Sequence, residues 1–370
     1  MPNRKLRTLD LFSGAGGFAL GLQRFATPVA YCDIDKEAVE VLEKRMADGR
    51  LPKAPIFGDI SKLKASDIPG PVDLVTAGFP CPDVSSIGKK SGIEGGKRTV
   101  LVHQALRLIR ELGPSYVFLE NVSAIAGDKD FGALLKKISG LGYDWAYDFF
   151  TAAKEGAAHQ RDRWLLLAAR RSPKPVPVAP SCPGSLRSNL KLRGPGVCDR
   201  RDPKCAEGRR FHKLYGNALV PAVACTAFTE LHSRLLSDDT PGEPVPRGER
   251  PDWKTSAVVS EDGKLFAQPR REKGECGGEG RSFTISPRKS YGRTLKNTQP
   301  LVTKSFTRRC LPTPRTGIGS GALTKRTKGD LGPLVLASSL CPRHLRRSST
   351  ARIDVGFLEN LMGFPRRWSR

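Results

Sequence analysis

The chain reads as α/β, a doubly wound, mostly parallel sheet with a second, smaller, loop-rich basic domain. Three observations predict this. Up to residue 170, short apolar runs alternate with stretches of helical apolar spacing, the pattern of strands joined by crossover helices. The strand-like runs are nearly continuous in apolar residues, as expected of strands buried on both faces. From Arg171 onward the texture changes to Pro, Ser, Gly and Arg with little periodicity.

Each element follows from its own residues. Thr8-Leu9-Asp10-Leu11-Phe12 is a buried strand, Ser13 to Gly17 a turn, and Phe18 to Phe25 a helix with Phe18, Leu22 and Phe25 inward. Val29 to Cys32 is a second strand closed by Asp33-Ile34-Asp35, and residues 36–46 form a helix. Pro55 to Asp59 is a short strand and turn, and Val72 to Ala77 a fourth strand. Leu101 to Leu112 is an amphipathic helix stopped by Gly113-Pro114. Tyr116 to Leu119 is the fifth strand, Phe131 to Leu141 a helix, and Trp145–Phe150 and Trp164–Ala169 two more strands. A helix returns near Val220–Leu236, and Val355 to Phe364 has a compact helical pattern. There is no internal repeat.

Charge is unevenly placed. The net +25 divides into +4 for residues 1–170 (24 Lys/Arg, 20 Asp/Glu) and +21 for residues 171–370 (38 against 17). The first half is ordinary for a globular domain, whereas the second suits a polyanion. A disordered basic tail is the alternative for parts of 230–350. Nine cysteines without regular paired spacing argue against a disulfide framework, and no apolar run approaches the roughly 18 residues of a membrane span. The expected location is wherever the nucleic acid is, cytoplasmic or nuclear, and not secreted. Cys182, Cys198, Cys205 and His212 match no zinc spacing, so no metal is expected.

Four constellations carry chemistry. Asp10-Leu11-Phe12-Ser13-Gly14-Ala15-Gly16-Gly17, with Asp33 nineteen residues after Gly14, offers small residues for close backbone approach and a strand-end acid for ribose hydroxyls. This favours a nucleoside-containing cofactor. A bare strand-to-helix turn is the alternative. Gly78-Phe79-Pro80-Cys81-Pro82 holds a thiol on a proline-pinned loop after a strand, suited to attack on an electrophile, unless Cys81 is merely a buried structural cysteine. Glu120-Asn121-Val122 closes the next strand, so Glu120 and Cys81 share one sheet edge if the strands are parallel neighbours, a merely solvated strand-end acid being the alternative. In His159-Gln160-Arg161-Asp162-Arg163, alternation would put Arg161 and Arg163 on one face, where two guanidiniums could bind phosphate or brace a carboxylate. A surface salt bridge with Asp162 is the alternative.

In this order, Asp-Leu-Phe-Ser-Gly-Ala-Gly-Gly, Gly-Phe-Pro-Cys, Glu-Asn-Val and Gln-Arg-Asp-Arg resemble the S-adenosylmethionine-dependent cytosine-carbon-5 DNA methyltransferases. The resemblance covers residues 7–170 and returns at 214–222 and 353–368. It implies a Rossmann-like methyltransferase fold, S-adenosyl-L-methionine as cofactor, and a flipped-out cytosine methylated through a covalent Cys81 adduct. It places Cys81 as nucleophile and Glu120 as acid, with Arg161 and Arg163 in the supporting motif. It assigns the cofactor to Phe12, Gly14, Gly16, Asp33, Ile34, Asp59, Leu101, Asn217 and Ala218.

The implied organisation is a catalytic domain at 1–171, a basic connector at 172–210, a returning helix at 211–237, a target-recognition region at 238–352 and a closing motif at 353–370. Two departures stand out. Pro82 replaces the glutamine usual after the nucleophile. The Gly216-Asn217 motif precedes, rather than follows, the segment Phe357 to Pro365. The implied partner is double-stranded DNA, with no membrane; the chain is expected to act as a monomer, with a cognate restriction nuclease as a further partner. A tRNA cytosine-5 methyltransferase of the same family, or a catalytically degenerate nucleic-acid binder, remains as alternative.

Overall fold

The computed structural model describes residues 4–80, 99–127, 131–157, 161–170, 209–236, 351–365 and 367–369. It also describes isolated residues 159, 173 and 176 and the short strands at 197–199, 258–259 and 265–266. The expected loop-rich basic domain, Cys81 and Pro82 lie outside the described residues.

A seven-stranded sheet organises the N-terminal part. In chain order the elements are β1 (Leu6–Leu11), α1 (Gly17–Gly21), β2 (Ala26–Cys32), α2 (Lys36–Ala47), β3 (Ile56–Phe57) and β4 (Leu74–Ala77). They continue with α3 (Thr99–Leu112), β5 (Tyr116–Val122), α4 (Phe131–Gly140), β6 (Tyr143–Thr151) and β7 (Asp162–Arg170). The strand order is β3-β2-β1-β4-β5-β7-β6. The first five of these are parallel, and β7 and β6 are antiparallel additions at one edge. Chain order reverses between β1 and β4, so the carboxyl ends of these two strands flank the crevice where open α/β sheets bind ligands.

The core lies on both sheet faces because side chains alternate along each strand. Tyr116 and Phe118 of β5 and Leu165 and Leu167 of β7 join one apolar cluster. Val117, Leu119, Trp164 and Leu166 join the other. Helices α3 and α4 cover the second face. The first is covered by α1 and by α6 (Pro221–Leu236), which follows the short α5 (His212–Asn217). Alternation beyond Phe118 therefore carries Glu120 to the first face and Asn121 to the second.

Glycine lets α6 sit close to α1. A Cβ on Gly17 would stand 2.5 Å from the Leu219 carbonyl oxygen. The last helix, α7 (Val355–Leu361), is capped by Asp354, whose carboxylate accepts from the Phe357 N–H. It packs into the same first-face cluster.

Three sequence expectations change. The helix expected from Phe18 to Phe25 is one short helix, Gly17–Gly21, followed by turns that return the chain into β2. The segment 55–59 contributes only two strand residues. The returning helix expected over 211–237 is two helices, α5 and α6, separated by residues 218–220. No helix among the described residues is long and apolar enough to cross a membrane.

Candidate active site

The crevice is built from strand ends. After β1 the chain turns through Phe12 (φ 54°), Gly14 (φ 54°) and Gly16 (φ 81°). Left-handed backbone is easy for glycine, but Phe12 adopts it against a steric cost, of order 1 kcal/mol or more. The turn is fixed internally by Gly16 N–H donating to the Ser13 carbonyl (2.9 Å) and by Ser13 Oγ donating to the Asp10 carbonyl (2.6 Å).

Asp33, at the end of β2, accepts from the Gly14 N–H at 2.7 Å and, through its other oxygen, from the Asp35 N–H at 2.8 Å. It is thereby aimed at the turn, and burial raises its pKa. Ile34 beside it is 76% exposed, an apolar side chain standing open at the crevice. Asp59, past the end of β3, lies at the surface and accepts from both the N–H and the hydroxyl of Ser61, which lower its pKa. Leu101 on α3 and Phe12 are half-buried against the second core cluster.

Three carboxyl groups, those of Asp10, Asp33 and Asp59, lie near Cys32 here. Burial, then Asp33, Asp59 and Asp10, push the buried Cys32 thiol up to about 12, so that cysteine stays a neutral core residue. A crevice with three carboxylates nearby and an exposed apolar side chain suits a cationic ligand with an aromatic ring. S-adenosyl-L-methionine, a sulfonium carrying adenosine, has that chemistry.

The second half of the site lies at β4 and β5. Glu120 is buried, and its Oε1 meets Arg163 Nε at 2.7 Å. Burial raises its pKa, while Arg163 and Arg161 oppose the rise. Gly78, just past β4, leaves room for it, since a Cβ there would lie 3.3 Å from Glu120 Oε2. The neighbouring Asn121 donates from Nδ2 to the Phe79 carbonyl at 3.0 Å. The end of β5 is thus tied to Gly78-Phe79-Pro80, the backbone that leads directly into Cys81.

Arg161 departs from the expected alternation. It precedes β7, has φ 50°, and is buried. Its guanidinium donates to the carbonyls of Gly216 (3.1 Å) and Ala218 (2.6 Å). A left-handed residue outside the pleat is not governed by strand alternation, so the two arginines divide the work. Arg163 holds Glu120, and Arg161 holds the end of α5. Asn217 itself is exposed, while Ala218 is buried.

Sequence reasoning missed Asp10. It is fully buried, accepts from Thr76 Oγ1 at 2.6 Å, and its other carboxyl oxygen has no hydrogen-bond partner. Burial pushes its pKa up to about 7, with Asp33 adding to the rise and Thr76 opposing it. The available signal was an acid inside an otherwise apolar strand run.

Fold and site together define a doubly wound α/β protein with a nucleoside-suited crevice and an adjoining carboxylate–arginine pair. Residues 6–188, a segment that includes Cys81, Glu120, Arg161 and Arg163, match the model of the C-5 cytosine-specific DNA methylase family. Enzymes of this family use S-adenosylmethionine as methyl donor.

Among curated relatives, type II methyltransferase M.CviJI of Paramecium bursaria Chlorella virus IL3A is 33% identical over 61% of this chain and 59% of its own. Type II methyltransferase M2.BsuMI of Bacillus subtilis is 36% identical over 44% of this chain and 42% of its own. Type II methyltransferase M.HhaI of Haemophilus parahaemolyticus is 35% identical over 45% of this chain and 49% of its own. The chain therefore spans about half the length of the curated relatives it matches.

Proposed function

We propose that the chain is a DNA (cytosine-5-)-methyltransferase that transfers a methyl group from S-adenosyl-L-methionine to carbon 5 of a flipped-out cytosine. The observation that carries this reading is the buried Glu120, braced by Arg163, on a strand end hydrogen-bonded to the backbone leading into Cys81. The type II methyltransferase names of the relatives support DNA as substrate.

Carbon 5 of cytosine is a poor nucleophile. Addition of the Cys81 thiolate at carbon 6 makes the ring enamine-like. Glu120, held by Arg163, would hydrogen-bond ring nitrogen 3 and offset the charge that develops there. When bound, S-adenosyl-L-methionine supplies an electrophilic methyl group. Carbon 5 of the enamine would take that methyl group, the donor's thioether leaving; loss of the carbon 5 proton to solvent and expulsion of the Cys81 thiolate then restore the aromatic ring. Gly14, Gly16 and Phe12 would line the cofactor through their backbone, Asp33 the ribose, Ile34 the adenine face and Asp59 the adenine amine. Leu101, Asn217 and Ala218 would complete that site. Arg161 acts by holding the Asn217 segment and Arg163 by orienting Glu120.

We assign residues 1–171 and 211–237 to the catalytic unit, with 172–210 as connector and 353–370 as its closing motif. Residues 238–352 are the target-recognition region, and their basic residues supply phosphate contacts that hold the opened duplex. Base flipping costs a few kcal/mol of unstacking, which these contacts offset. The chain acts as a monomer wherever the DNA is, with a cognate restriction nuclease as its partner.

Bisulfite sequencing of DNA from cells expressing the chain tests this in one measurement of activity, base and context. Protected cytosines are expected in a fixed sequence context, and none with Cys81→Ser, which should still retain DNA. Methylation unchanged in Cys81→Ser refutes the mechanism, and a product confined to tRNA refutes the substrate.

A further inference from the structure

The described residues of the C-terminal segment, 354–365 and 367–369, touch both halves of the site. The indole N–H of Trp368 donates to the Ala15 carbonyl at 2.7 Å, joining positions 353 residues apart. Ala15 lies in the turn between β1 and α1. Its peptide is held from the other side by the Gly16 N–H bond to Ser13. Trp368 also walls the back of this turn. Its Cζ2 lies 3.9 Å from where a Cβ on Gly16 would be, beside Leu42 and Leu51.

Trp368 is in turn held firmly. Its ring is fully buried, with the Arg45 guanidinium 5.6 Å from the ring centroid and the Phe364 ring 5.8 Å away. Arg45 Nη1 donates to the carbonyl of Arg367, which itself adopts a left-handed φ of 59°. Two residues beyond Arg367, the Ser369 N–H donates to Glu359 Oε1 at 2.8 Å. A non-glycine residue in that conformation persists only where its surroundings over-determine it. Here the surroundings place one indole. The same segment touches the other half of the site, because the Leu361 carbonyl accepts from His159 Nε2 at 2.9 Å, two residues before Arg161.

We infer that Trp368 is a positioning residue for cofactor binding, whose indole N–H sets the orientation of the Ala15–Gly16 peptide in the cofactor turn. Any large apolar side chain could fill the space behind the turn. Only a donor fixes the carbonyl, and with it the direction of the backbone that faces the ligand. The inference rests on reading this turn as the S-adenosyl-L-methionine site.

The test uses the full chain and titrates S-adenosylhomocysteine by calorimetry, with steady-state methylation kinetics alongside. Trp368→Phe keeps an aromatic ring and removes the N–H. Trp368→3-benzothienylalanine keeps the indole shape and removes only the N–H, and it serves if the phenylalanine variant does not fold. Loss of one buried hydrogen bond predicts about a tenfold weaker S-adenosylhomocysteine affinity and a matching rise in KM for the donor. The kcat at saturating donor and the KM for DNA should stay within about twofold, because this bond acts on donor binding alone. Val355→Ala, which opens a buried position at the start of α7 away from the indole, should lower thermal stability and leave donor affinity unchanged. Wild-type affinity in both Trp368 variants overturns the inference, as does an equal loss in Val355→Ala. No binding by the unsubstituted chain overturns the reading of the turn itself, and this role with it.

Discussion

Replacing Arg163 with Met removes the cation that faces Glu120 while keeping a long apolar stem. The pair is 2.7 Å apart, and the two side chains are only 12% and 10% exposed. At an effective dielectric of about 20, the gross attraction at this separation is roughly 6 kcal/mol. Desolvation of both groups cancels much of that, yet breaking a buried pair from one side costs about 3–5 kcal/mol because a charge is left behind. Arg161 also lowers the Glu120 pKa, so part of the compensation survives. The lower end of that range, about 3 kcal/mol, is therefore expected for Arg163→Met.

Glu120→Gln in the Arg163→Met background removes the stranded carboxylate. The double variant should then be more stable than the sum of the single losses implies, with a coupling of about 2 kcal/mol. Urea unfolding of the four proteins at one pH measures this. A coupling below about 0.5 kcal/mol would show that the contact does not carry the energy assigned to it. Methylation in Arg163→Met should fall together with that of Glu120→Gln. Full activity there would remove Arg163 from the site.

Asp10 and Gly17 give two further expectations. The Asp10 carboxyl has a folded-state pKa of about 7 against an ordinary value of 3.8, so the folded form holds a proton that the unfolded form releases. Its contribution therefore falls as pH rises from about 4 to about 7 and is constant above, for a total of about 4 kcal/mol. Asp10→Asn removes this dependence, and the urea stability of wild type minus that of the variant should decline between pH 4 and pH 8. An unchanged difference would show that burial does not raise the Asp10 pKa above its unfolded value. Gly17→Ala drives a methyl group against the Leu219 carbonyl, 2.5 Å away, and this clash is expected to cost about 1–3 kcal/mol and weaken the packing of α1 on α6. Thermal melting no lower than wild type would count against that close approach.

The amino-acid sequence by itself determined the alternation of strands and helices, the turn after β1, the acid at the end of β2 and the spacing between Cys81 and Glu120. These are local facts, because apolar periodicity and glycine-rich turns act over a few residues. Tertiary structure decided which strands are neighbours, and so put the ends of β4 and β5 side by side. It separated Arg161 from Arg163, since a left-handed φ at residue 161 turns its side chain toward α5 while the pleat of β7 leaves Arg163 against Glu120. It also raised the pKa of Asp10, because desolvation depends on everything packed around a group and leaves no local trace. The bond from Trp368 to Ala15 spans 353 residues, and no short-range pattern can encode a partner so distant along the chain.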